Sequence, residues 1–162
     1  MAINLGGSGI NVTNTHPSGV TLNLQKNQLL DLTKREPGLT RIKLGAGWDV
    51  SQTGQSFDLD IAAFLLNSNG KVQNIPQDVI FFNNMEAPGI ALEGDNRTGA
   101  GDGDDEQITV DLDKLDSDVD KVVFVVNIYM AKMRRQSFGD VKNAFIRLVD
   151  ENTGAELFRY NL

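Results

Sequence analysis

The chain is 162 residues long, has no cysteine and one histidine, and carries a formal charge of −7. That length suits one domain with a real hydrophobic core, and the missing cysteines exclude disulfides, thiol chemistry and cysteine-ligated zinc or iron–sulfur centres. The sequence shows no broad basic surface for nucleic acid and no apolar run near the ~20 residues of a membrane helix.

Residues 1–19 are rich in Gly, Asn, Thr and Ser and read as an arm ahead of a domain spanning residues 20–162. They lack the basic and apolar regions of a secretory signal, so the expected location is the cytoplasm or an assembly. Short segments of β character follow. Residues 20–24 (VTLNL) alternate, 29–32 (LLDL) are brief, and 40–48 (TRIKLGAGW) alternate with glycine interruptions. Residues 57–66 (FDLDIAAFLL) run into Asn69-Gly70, a strong hairpin signal. Residues 79–82 (VIFF) precede a loop holding most of the acid, and 107–112 (QITVDL) alternate cleanly. Residues 121–129 (KVVFVVNIY) are almost continuously apolar, which predicts a strand covered on both faces. Residues 131–144 are the best helix candidate. Residues 144–149 and 155–160 flank a turn at Glu-Asn-Thr-Gly. About nine short strands with little helical periodicity predict an all-β fold, a β-sandwich or a partly open barrel.

The negative charge is local. Between Glu93 and Asp120 there are 11 acids against two bases, Arg97 and Lys114, while the rest of the chain is slightly basic. The densest part is GDNRTGAGDGDDE, residues 94–106. Two carboxylates 4 Å apart repel by roughly 4 kcal/mol at an effective dielectric near 20, so this block either splays into water or holds a cation. A second pair, Asp58 and Asp60, is spaced by two and projects from one strand face, with Phe57, Leu59 and Ile61 pointing into the core. Glycines let loop oxygens converge on one point, and calcium takes 6–8 oxygens in flexible geometry. One histidine and no cysteine leave softer metals few ligands. The block is not an EF-hand: counted from Asp102, position 6 is Gln107 and position 12 is Asp113. On composition alone, a solvated acidic loop and a calcium site both stand.

The order and spacing of Gly45-Ala46-Gly47-Trp48-Asp49, Phe57-Asp58-Leu59-Asp60, the whole acidic block, and Arg134-Arg135-Gln136-Ser137-Phe138-Gly139 followed by Ala144-Phe145-Ile146-Arg147-Leu148 resemble the TerD family of tellurium-resistance and stress-response proteins. The resemblance spans about residues 20–162. It implies a non-enzymatic, calcium-binding β-sandwich of the bacterial cytoplasm, with its metal loops at one end and more than one Ca2+ ion. Motif by motif, the metal-associated residues would be Asp58, Asp60, Asp95, Asn96, Asp102, Asp104, Asp105 and Glu106, with Asp49 and Asn83 as further candidates. Such a protein would act as a calcium-stabilised module for protein partners or self-assembly, through residues 1–19 and open strand edges, with neither nucleic acid nor membrane as partner. The alternative is a structural or decoration subunit of a phage particle, located in the virion. Relative to the family, residues 1–19 look additional and the chain ends early, which leaves strand edges open to pairing with another chain. For the arm itself, packing on a neighbour competes with folding back as an extra strand.

Other residues carry weaker signals. His16 lies in the polar arm, Ser137 has no base nearby in sequence, and Trp48 reads as core. Gly45-Ala46-Gly47 reads as a bend or close backbone approach. Lys132, Arg134 and Arg135 form a basic patch that is either solvated, paired with the acidic loop or set against an anionic partner.

Overall fold

Period-two patterning governs the chain. In the strand Glu106–Asp111, Glu106, Ile108 and Val110 are buried while the residues between them are partly exposed, as expected when one sheet face meets the core. The fold, obtained as a computed structural model, describes residues 38–51, 54, 56–94, 96–101 and 103–162, with the backbone of two short strands at 2–4 and 22–23. In chain order the described strands are β1 (Ala2–Asn4), β2 (Leu22–Asn23), β3 (Arg41–Gly47), β4 (Leu59–Leu66), β5 (Val79–Ile80), β6 (Glu86–Ala87), β7 (Ile90–Glu93), β8 (Glu106–Asp111), β9 (Lys121–Ile128), β10 (Phe145–Asp150) and β11 (Glu156–Asn161).

They form two sheets. One has the order β1-β9-β4-β5 and the other β2-β11-β10-β3-β8-β7-β6. All described pairs are antiparallel except β2 with β11. The sheets form a β-sandwich, with the inner faces of β3, β4, β8, β9 and β10 supplying Ile42, Leu44, Ile61, Ala63, Ile108, Val110, Val122, Phe124 and Leu148 to the main core. Fully burying one such large side chain is worth about 1.5–3 kcal/mol. A second cluster at one end holds Trp48, Phe57, Leu59, Ile128, Val141 and Ala144. Val126 and Leu162 pack against both clusters.

Several elements differ from the sequence-based expectation. The Asn69-Gly70 turn closes on itself, with Gly70 N–H donating to Asn67 C=O at 2.8 Å, but the strand that pairs with β4 starts only at Val79. The tight hairpin is therefore replaced by a long connection. The β6–β7 hairpin interrupts what looked like one loop. β9 is covered on one face only: Val122 and Phe124 are buried whereas Val125 is 41% exposed. The expected helix over 131–144 shrinks to a single turn, α1 (Ala131–Arg134), and a 3-10 turn at Phe138–Asp140. Arg135 at φ 54° and the extended Ser137 break it. No described helix is long and apolar enough to cross a membrane. At the N-terminus, β1 runs along β9 at the edge of the four-stranded sheet. The rest of residues 1–19, His16 included, and the segment 29–32 lie outside the described residues.

Candidate functional site

Asp58 and Asp60 share one face at the start of β4. Phe57 and Leu59 enter the end cluster and Ile61 the main core, so the alternation of this strand sends both carboxylates the other way. The two are only 7% and 8% exposed. They line a cavity of about 320 Å3 with Ser56, Phe82, Arg97, Thr98, Tyr129 and Arg134. Arg134 Nη1 stands 3.8 Å from Asp58 Oδ2, and its guanidinium lies 5.4 Å from the centre of the Tyr129 ring. Asn127 Nδ2 donates to Asp60 Oδ2 at 3.4 Å. Of the basic patch, Arg134 thus turns to the site, while Lys132 and Arg135 are exposed at the surface.

The acidic block closes over the same end of the sandwich, and each described member has a distinct partner. Asn96 Oδ1 accepts the N–H groups of Thr98 and Gly99, both at 3.1 Å, and its Nδ2 donates to Asp105 Oδ1 at 2.8 Å. Asp105 Oδ2 accepts the Trp48 N–H at 2.8 Å, and the Asp105 N–H donates to Ala46 C=O at 2.7 Å. Burial pushes the Asp105 carboxyl above its ordinary range, and the neighbouring Asp104 and Asp49 charges add to this against the Trp48 hydrogen bond. Glu106, 2% exposed, crosses between the sheets: its Oε2 accepts the Ile61 N–H of β4 at 2.8 Å. Asp95 and Asp102 lie outside the described residues. Of the further candidates, Asp49 accepts a hydrogen bond from Asn143 Nδ2 at 2.7 Å, and Asn83 is exposed.

Asp104 has the closest charge partner. Its side chain is fully covered, and Arg147 of β10 grips both oxygens, Nε to Oδ1 at 2.6 Å and Nη2 to Oδ2 at 3.0 Å. This two-pronged geometry is the strong form of the arginine–carboxylate pair. Arg147 continues to Glu156 at 3.3 Å, and Arg159 to Glu156 at 2.8 Å. The Arg159 guanidinium stacks 4.1 Å from the centre of the Phe145 ring. These hydrogen bonds raise the Arg147 pKa further, with Asp104 the largest cause.

The glycines of β3 make this possible. Gly45 lies opposite Arg147 in the sheet, and a Cβ there would strike the Asp104 carboxylate. A Cβ on Gly47 would strike the Gly103 carbonyl and the Phe145 ring, and one on Gly99 would strike Trp48. The close backbone approach expected at Gly45-Ala46-Gly47 is therefore the acidic block lying across β3. It also explains why β3 loses its alternation and is buried from Leu44 to Gly47. Trp48, 4% exposed, is core.

The donor chemistry around Asp58 and Asp60 suits a hard cation, since every candidate ligand is an oxygen of a carboxylate or hydroxyl. In number the set is incomplete. Among the described residues, no three His, Cys, Asp or Glu side chains are grouped to hold a metal ion. No nucleophile–base pair suited to catalysis is formed by Ser137: its Oγ donates to Asp140 Oδ2 at 2.7 Å as part of a capping box.

The TerD domain model matches residues 20–162. The chain belongs to the TerD family. It is 48% identical over 146 residues to the tellurium resistance protein TerD of Serratia marcescens, covering 88% of this chain and 76% of that one. It is 46% identical over 147 residues to general stress protein 16U of Bacillus subtilis (strain 168), with the same coverage. Among solved structures, a homologue of the telluride resistance protein TerD from Streptomyces coelicolor A3(2) superposes with a TM-score of 0.61 at 26% identity. That match covers 75% of this chain and 71% of that one.

Within this TerD domain the residues missed by sequence reasoning are Arg147 and the Glu156 and Arg159 that continue its ion-pair chain. Arg147 was visible only as one letter in a strand, and nothing in its spacing to Asp104, 43 residues away, marks the pair. Glu156 and Arg159 were equally silent. Their i, i+3 spacing was legible, but a bridge to the acidic block requires the β10–β11 register.

Proposed function

We propose that this TerD-family protein is a non-enzymatic stress-response or tellurite-resistance protein of the bacterial cytoplasm whose acidic end binds calcium. Asp58 and Asp60 would hold the ion, joined by Asp95, Asp102 and Glu106 of the acidic block. Calcium would supply charge that lets Asp58 and Asp60 sit together out of water, and so stiffen the end of the sandwich as a surface for protein partners. The observation that carries the reading is the buried Asp58–Asp60 pair, two carboxylates on one strand face in a cavity that also holds the hydroxyls of Ser56, Thr98 and Tyr129 beside Arg97 and Arg134. The relatives named for tellurium resistance and general stress support the cellular role.

Thermal melting of the full chain in millimolar calcium and in excess chelator tests it. Calcium at 100 times its dissociation constant adds ~2.7 kcal/mol to the folded state, and magnesium adds less because it sheds its waters reluctantly. Asp58→Asn abolishes the calcium-dependent rise. Identical melting curves in calcium and chelator would sink the reading.

A further inference from the structure

We infer that Asp104 and Asp105 are anchors of the acidic block, not metal ligands, and that Arg147 is the positioning residue that holds the block in shape without a cation. The part that separates anchors from ligands rests on the calcium reading; the anchoring itself does not.

Three observations on separate elements carry it. Both Asp104 oxygens are taken by one guanidinium, and the side chain is fully covered. A side chain recruited to a metal would have to weaken or give up this two-pronged grip and leave the part-buried Arg147 to Glu156 alone, which works against a ligand role. Both Asp105 oxygens are also engaged, by Trp48 N–H and Asn96 Nδ2. Finally, β3 is shaped to receive the block, because Gly45 and Gly47 leave the space that Asp104 and Gly103 fill. Asp58 and Asp60, with Arg134 and Asn127 beside them, line the cavity. The acids therefore divide by role: one set fastens the block to β3 and β10, the other faces the cavity.

The test uses the full chain with four single variants, Asp104→Asn, Arg147→Gln, Arg147→Lys and Asp58→Asn, and the double variant Asp104→Asn/Arg147→Gln. In chelator, Asp104→Asn and Arg147→Gln each lower the melting temperature by roughly 10 °C, and the double variant falls no further than the worse single one. Arg147→Lys recovers part of the loss, since an ammonium keeps the charge but not the fork. Limited trypsin digestion supplies a local readout: cleavage after the exposed Arg97 accelerates at least tenfold in Arg147→Gln, while cleavage after Lys43 in β3 does not. Calcium still raises the melting temperature of Asp104→Asn, and fails to do so for Asp58→Asn.

If Asp104→Asn melts normally in chelator and loses the calcium response, Asp104 is a ligand and the inference is overturned. Additive effects of Asp104→Asn and Arg147→Gln, or equal acceleration at Arg97 and Lys43, also overturn it. Should the unsubstituted chain ignore calcium while the Asp104–Arg147 coupling persists, the calcium reading falls and the anchoring stands.

Discussion

A glutamate with 2% of its surface exposed is costly to bury unless its oxygens find donors, and Glu106 finds one on the opposite sheet. β5 pairs only with Ala63 and Phe64, so among the described residues the first half of β4 has no strand on that side. The Ile61 N–H would be an orphan there without the Glu106 carboxylate. Glu106→Gln retains an oxygen acceptor and folds with little loss. Glu106→Leu keeps the volume but strands a buried N–H, at a cost of about 1–3 kcal/mol relative to the glutamine variant. Chemical denaturation of the two variants in chelator measures the difference, and equal stabilities would show that the Ile61 contact contributes nothing. The sequence exposed Glu106 as an acid in an acidic block. Its role as a bridge between sheets was hidden, because nothing local to residue 106 identifies a partner 45 positions away.

At the scale of elements, strands whose two faces differ were legible. The alternation in residues 40–48, 57–66 and 107–112 became β3, β4 and β8, and the phase of β4 placed Asp58 and Asp60 together correctly. Elements decided by distant contacts were not. β6 and β7 are too short to show a period, and the apolar run of β9 suggested two covered faces where one is solvated. The helical pattern over 131–144 was cut by a left-handed residue at Arg135 that no propensity marks. The β10–β11 hairpin offers a prediction at this scale. Its Glu156 sits between Arg159 and Arg147, and hydrogen bonds from Arg159 first, then Arg147, hold its carboxyl below the usual range against the effect of burial. A carboxyl whose pKa is depressed by folding stabilises the fold above its unfolded value, near 4.3, and loses that contribution as pH falls through the folded value. Glu156→Gln should therefore flatten the loss of stability below about pH 5 and lower stability at pH 7. Urea titrations across pH 3–7 read the slope, and an unchanged acid limb would remove Glu156 from the account.

For the whole molecule, the question is whether the acidic end and the main core unfold as one. The two apolar clusters are distinct, yet Val126 of β9 and Leu162 touch both. β4 runs through the junction, giving Leu59 to one cluster and Ile61 to the other. The acidic block is fixed to β3 and β10, both strands of the large sheet, and Glu106 ties that sheet to β4. Connections this dense leave no boundary at which one end could melt alone, which is the condition for two-state unfolding in a domain of this size. Trp48, the only tryptophan, sits in the end cluster beneath Gly99. Its fluorescence reports the acidic end while far-UV circular dichroism reports the sheets. In denaturant the two transitions should coincide. Phe124→Ala, a substitution in the main core at a side chain only 1% exposed, should shift both midpoints together, at a cost of about 3–5 kcal/mol. A Trp48 transition that precedes the sheet signal, or stays in place when Phe124 is truncated, would mean that the acidic end is a separate cooperative unit, held by its own anchors and indifferent to the core below.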